Sequence, residues 1–251
     1  MATLARPRPP LNAEGKFFTG MAAAMLVTVF VGFAPTYYLL PWFNGVTTRG
    51  VAGAAALTPL VHVHALVFSG WLILFIAQTG LVAARRTDIH RALGGAGLAL
   101  AGAVTVIGLV TAISAGRRGS SPPGWDDRAF LLVPVTSVLL FAGFVAAGFV
   151  RRRRADWHKR LMLLGTIAML VPALARIMNM IALPFLPRGV AGGLILVNLF
   201  LLALIAFDLK RLRRVHPATL WGIAIFLITW PARLMLGETG PWQAFAAALI
   251  G

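Results

Sequence analysis

Apolar residues in this chain do not alternate with polar ones. They gather into seven nearly unbroken runs of about twenty residues, separated by short polar stretches. A helix needs about 20 residues to cross the hydrocarbon core of a bilayer. The pattern therefore predicts seven membrane-crossing helices, at about Phe17–Leu40, Leu57–Ala84, Ile89–Ser114, Ala129–Val150, Trp157–Ile181, Val190–Lys210 and Ala218–Leu236. The alternation of a transmembrane barrel is missing. The fold class is an all-α integral membrane protein, organised as an N-terminal tail (1–16), one transmembrane domain (17–236, core 57–181) and a short C-terminal tail (237–251). The tail segment PWQAFAAALI is too short to span and is expected to lie along the interface.

Composition agrees with the pattern. Of 251 residues, 59% are hydrophobic and only 12% charged, where a soluble domain carries about 25% charged. The net charge of +16 does not indicate a nucleic-acid partner, because the basic residues lie in the short loops between runs. Their distribution sets orientation instead. With the N-terminus inside, sixteen of the 23 Lys and Arg residues fall on the inner side and six on the outer. By the positive-inside rule the N-terminus is cytoplasmic and the C-terminus extracytoplasmic, in a plasma (inner) membrane. Trp42, Trp125, Trp230 and Trp242 fall near the outer interface, Trp157 and Trp221 near the inner one. The first run exceeds 20 residues and no clean small-x-small site follows it, so it reads as a retained span. Pro35, Pro134, Pro172 and Pro231 are expected to kink spans. GGAGLALAGA (94–103) offers a small-residue face, for close helix packing or to make room for a flat cofactor. With no cysteine there is no disulfide or thiolate metal site.

Two inner turns are copies of one another. RRTDIHRAL (85–93) and RRADWHKRL (153–161) share R-R-x-D-x-H-[K/R]-x-L at an offset of 68 residues. In each, the Arg pair closes one helix, and Asp88 or Asp156 is expected to cap the next. A turn needs Arg and Asp; it does not need a histidine two residues later, twice. The repeat places His90 and His158 at matched depth on the same side of the membrane. The second to fifth helices then form a pseudo-symmetric four-helix bundle, a setting in which facing side chains build cofactor sites. Two imidazoles from different helices can ligate the iron of a b-type haem. Arg91, Lys159 and Arg160 stand beside them as cations for haem propionates. The opposing view is that one hairpin was duplicated and the histidines came with it.

The remaining polar residues are fewer. His62 and His64 (LVHVHAL) lie near the outer end of the second helix, pointing roughly 200° apart. One of them can face the bundle as a second-site ligand. Met178 or Met180 could complete such a site, or Asp126 and Asp127 could join a histidine in holding a divalent metal. Arg176 (VPALARIMNM) lies inside a span, where a charge needs a partner; a propionate, a lipid phosphate or a quinone head would serve. His216, Tyr37 and Tyr38 are expected at interfaces. Phosphate-binding glycine loops, zinc-protease helices and serine elbows are missing, which leaves hydrolase or nucleotide-driven chemistry without support.

These motifs resemble a family of uncharacterised bacterial multi-pass membrane proteins. Its pattern is an early His in one span, H-R-x-L-G opening the next, and H-[K/R]-x-[L/W]-M two spans later with a downstream Arg. The matching residues here are His62 or His64, HRALG (90–94), HKRLM (158–162) and Arg176, covering about half the chain. The chain is more distantly similar to transmembrane b-type cytochromes reduced by ascorbate. That likeness implies a four-helix haem core carrying electrons. A quinone or another redox membrane protein is the expected partner of such a protein. Those cytochromes place four histidines as two pairs, whereas the outer pair here lacks a second member. The expectation is a haem b protein with His90 and His158 as iron ligands, His64 or His62 at a second site, and Arg91, Arg160 and Arg176 on the cofactor. The alternative is an accessory, assembly or transport protein without haem, its histidines structural or binding a divalent metal.

Overall fold

The computed structural model describes residues 13–43, 57–182 and 184–251, and every regular element among them is helical. The chain runs through α1 (Ala13–Phe33), α2 (Pro59–Ala83), α3 (Thr87–Ala92), α4 (Gly94–Arg117) and α5 (Asp127–Val150). It continues through α6 (Ala155–Ile167), α7 (Val171–Ile181), α8 (Gly189–Leu212), α9 (Pro217–Gly237) and α10 (Gly240–Ile250). A wide turn over Ala34–Tyr38 extends α1. Among the described residues six helices are long and apolar enough to cross a membrane, and α6 with α7 makes a seventh if the bent pair is one span. The first twelve residues, with Arg6 and Arg8, and the segment holding Arg49 lie outside the described residues.

Leu66, Ile73, Val106, Leu199 and Leu227 stand exposed on the outside of the helices. In water such a surface would be unstable; against lipid tails, which are as apolar as leucine, it costs nothing. These lipid-facing helices therefore bury one apolar side and expose another, and α1, α2 and α4–α9 share a core that includes Met25, Trp71, Phe75, Phe141, Leu163 and Leu204. α2 packs on α4, α4 on α5 and α5 on α6. Trp71 on α2 joins the group to α6, donating from Nε1 to Thr166 Oγ1 at 3.2 Å while its ring meets Phe141 edge-on. α10, eleven residues long, lies against α4 and α5. Trp242 Nε1 donates to Arg128 O at 2.7 Å, and Arg117 Nε to Leu249 O at 2.8 Å.

Two expected helices are interrupted. The span expected to run from Trp157 to Ile181 breaks after Ile167, and α7 leaves at 50° to α6. Pro172 explains the position: it has no N–H to donate four residues back, and its ring crowds that carbonyl, on Ala168. The span expected from Ile89 breaks at Leu93, before the Gly94–Gly95 pair, and leaves α3 as a separate short helix. Pro134 and Pro231, by contrast, lie inside unbroken helices.

Close helix contact is made at other glycines than the expected ones. A Cβ at Gly193 on α8 would stand 2.7 Å from Ala175 N and 2.8 Å from Val171 O on α7, and Gly32 on α1 abuts the Ala173 backbone. Gly94, Gly95 and Gly102, in the stretch expected to pack closely, have nothing within 4 Å of that place, and Gly97 makes only ordinary contact with Leu74. Gly193→Val is thus expected to force α7 and α8 apart and to destabilise by about 1–3 kcal/mol or more, as overpacking does. Gly102→Ala should leave the melting temperature in detergent unchanged or raised, and equal melting of the two variants would refute the contact.

Candidate functional site

The hairpin copies bring His90 and His158 together. Their ring centres are 6.1 Å apart and their planes lie at 76°. Arg86 and Arg154 precede α3 and α6, and Asp88 and Asp156 lie in the first turns rather than at the caps. Asp88 takes hydrogen bonds from Arg86 Nε and Nη2 at 3.3 and 3.4 Å. Arg86 holds the Asp88 carboxyl below the usual carboxylate range. Each histidine then projects from the second turn of a helix entering the same end of the molecule.

The two rings are held differently. His158 Nδ1 pairs with Gly148 O at 2.9 Å. Since the carbonyl can only accept, Nδ1 is the donor, which leaves Nε2 as the nitrogen a ligand role would use. Gly80 stands 68 residues before Gly148, yet His90 makes no equivalent bond: its Nδ1 is buried without a partner. The first copy instead has Gln78 Nε2 donating to His90 O at 3.3 Å, and Gln78 Oε1 is likewise buried and unpartnered. Burial, and then the neighbouring His158, lower the His90 pKa from its ordinary 6.5. His90 therefore stays neutral near pH 7, with a lone pair free for a ligand role. The unfolded chain binds a proton below about pH 6.5 that the folded one resists, so the native state is favoured above that pH and loses stability as pH falls. Wild-type protein should lose more melting temperature between pH 7.5 and 5.5 than His90→Gln; equal losses would rule out this linkage.

The cations beside the pair have separate roles. Arg91 lies exposed on α3. Lys159 forms an ion pair with Glu14 on α1. Arg160 turns into the protein and pairs with Asp208 on α8 through Nε and Nη2, while Nη1 donates to Asp156 O at 2.9 Å. Asp208 also accepts from His216 N at 3.1 Å and Thr219 Oγ1 at 2.6 Å. His216, expected at an interface, is buried. Its Nδ1 accepts from Ala218 N at 3.1 Å to cap α9, so its Nε2 carries the proton and donates to Asp156 Oδ2 at 3.0 Å. This network ties α6, α8 and α9 together and was not foreseen. Its one sequence signal is a lone acid in an apolar run, LLALIAFDLK.

At the opposite end the remaining candidates stand apart from the histidine pair. His62 Nδ1 pairs with Tyr37 OH at 3.0 Å, and Tyr38 OH with Ser69 Oγ at 2.6 Å, so the tyrosines join α1 to α2. His64 stacks on Phe68 at 4.0 Å, with Nδ1 buried and unpartnered. Arg176 lies over the Phe33 ring at 4.2 Å, donates from Nη1 to Pro172 O at 2.9 Å, and keeps a buried, unpartnered Nε. Met178 is packed in the core, and Met180 is 44% exposed. Asp126 caps α5, accepting from Ala129 N at 2.8 Å, and Asp127 accepts from Ser121 N at 3.2 Å. The Ala129 bond foremost, and then one from Gln243 Nε2 at 3.2 Å, hold the Asp126 carboxyl below its usual range. Among the described residues no three of His, Cys, Asp and Glu gather as metal ligands, so His62 or His64 with both aspartates is not such a site.

Comparison with protein-family models, curated proteins and solved structures finds no match for the chain.

Proposed function

We propose that this membrane protein binds haem b between His90 and His158, for electron transfer or for handling haem on behalf of another enzyme. The observation that carries the reading is the approach of the two imidazoles. Two imidazoles whose nitrogens each stood about 2 Å from a shared metal ion would have ring centres up to roughly 6 Å apart. The His158 Nδ1–H···O=C bond to Gly148 supports the same role, since ligating histidines commonly donate their other nitrogen to a carbonyl. Among the described residues no third His, Cys, Asp or Glu joins the pair to hold a bare ion. Haem brings four nitrogens of its own, so two suffice. When bound, the haem would take up and release one electron at its iron. His90 and His158 would hold the iron, and exposed Arg91 would meet a propionate. Arg160 is committed to Asp208 and would act only through α6.

The orientation that goes with this reading is an N-terminus in the cytoplasm and a C-terminus outside, in a bacterial inner membrane. It rests on the excess of basic residues at the histidine end. A quinone or a second redox membrane protein would be the electron partner. One observation favours a plainer reading: the His158–Gly148 bond also clasps the start of α6 to the end of α5, as a structural histidine would. Absorption spectra of protein purified in mild detergent, oxidised and then dithionite-reduced, separate the two. A Soret band with sharp reduced α and β bands, and near-stoichiometric haem by pyridine haemochrome, is expected. A colourless preparation, unchanged when haem is supplied during expression, would leave the clasp alone.

A further inference from the structure

A second site lies at the same arginine-rich end as the histidine pair, and neither His90 nor His158 lines it. A cavity of about 500 Å³ opens between α1, α6, α8 and the start of α9. That volume is within the range of small-ligand sites, about 300–1,000 Å³. Lys159, Arg160, Arg211 and Arg214 line it, against two acids, Glu14 and Asp156. Both acids are already engaged, Glu14 by Lys159 and Asp156 by His216, and Arg160 is held by Asp208. Arg211 and Arg214 face the cavity with no carboxylate partner among the described residues. The chain brings them to one place because Arg213, in the left-handed region at φ 58°, ends α8 and reverses its direction. Trp157, Phe207 and Leu212 give the same cavity apolar walls.

We propose that this cavity binds a phosphate group, with Arg211 and Arg214 as its principal donors. Guanidinium matches phosphate oxygens in both charge and fork geometry. The apolar walls suit the rest of a phosphate ester, and basic pockets between membrane helices take acidic lipid head groups. An acidic phospholipid and a soluble phosphate compound offer the same chemistry; the experiment separates them.

Delipidated protein in a non-ionic detergent would be titrated with short-chain phosphatidylglycerol, inorganic phosphate and, as a zwitterionic control, short-chain phosphatidylcholine. Binding would be read by calorimetry. Phosphatidylglycerol is expected to bind, and Arg211→Ala/Arg214→Ala to weaken it at least tenfold. Arg152→Ala/Arg153→Ala removes the same charge from exposed positions at the same end and should leave it within twofold. Single Arg211→Gln and Arg214→Gln variants, each losing part of the affinity, cover the case in which the double variant does not fold. Binding of phosphatidylglycerol without inorganic phosphate would assign the site to lipid; comparable binding of both would assign it to soluble phosphates. Failure of both probes, or equal weakening by both double variants, would overturn the proposal. None of these readouts depends on haem.

Discussion

Replacing either His90 or His158 by alanine is expected to strip the protein of haem. Wild type should carry close to one haem per chain, and each variant should be colourless after purification at comparable yield. The two rings stand 6.1 Å apart and come from helices that enter the same end of the bundle. Among the described residues no third His, Cys, Asp or Glu joins the pair, so loss of one imidazole would leave a single bond from the protein to the iron. The His158 variant has a second effect, because it also removes the bond to Gly148 that joins α6 to α5. A lowered melting temperature alone would therefore not distinguish a ligand from a clasp. Free imidazole does: added to the His158→Ala protein with haem, it should restore the low-spin spectrum if the side chain was a ligand, and do nothing if it was a clasp. His62→Ala, at the opposite end with its ring bonded to Tyr37, should keep the full spectrum. Loss of haem on replacing His62 or His64 alone would move the site to the other end.

How far the sequence foretold this molecule depends on the range of the interaction. Apolar runs are legible because lipid requires every span to satisfy its own backbone, which only a long helix does within one segment. The meeting of His90 and His158 was legible through the repeat, which turned a distant contact into a local comparison. Proline was ambiguous. Pro172 breaks a span, while Pro134 and Pro231 lie in unbroken helices, and the residues around each do not say which outcome its neighbours will tolerate. The small-residue stretch at 94–103 misled for a related reason. A glycine permits close approach, but the partner chooses where to approach, and here α7 is met at Gly32 and Gly193. The Arg160–Asp208–His216 network joins three helices through residues 48 and 60 positions apart. Only the odd acid in an apolar run hinted at it.

That network predicts the largest stability effect in the protein. Asp208 is 0% exposed and Arg160 2%. The carboxylate receives the Arg160 guanidinium twice, His216 N and the Thr219 hydroxyl. Asp208→Ala would leave a buried guanidinium without its counter-charge and two further donors unsatisfied, and breaking a buried pair from one side costs about 3–5 kcal/mol. Asp208→Asn keeps an oxygen for two of the four donors but not the charge, so it should fall between wild type and alanine. The double variant Arg160→Met/Asp208→Leu removes both charges together. It should melt well above Asp208→Ala in detergent, because much of the damage in the single variant comes from the abandoned cation and not from the loss of the pair itself. That ordering separates a paired strut from two independently tolerated residues. If Asp208→Ala melts like wild type, or the double variant is worse than the sum of the singles, the charge pair does not hold α6 to α8.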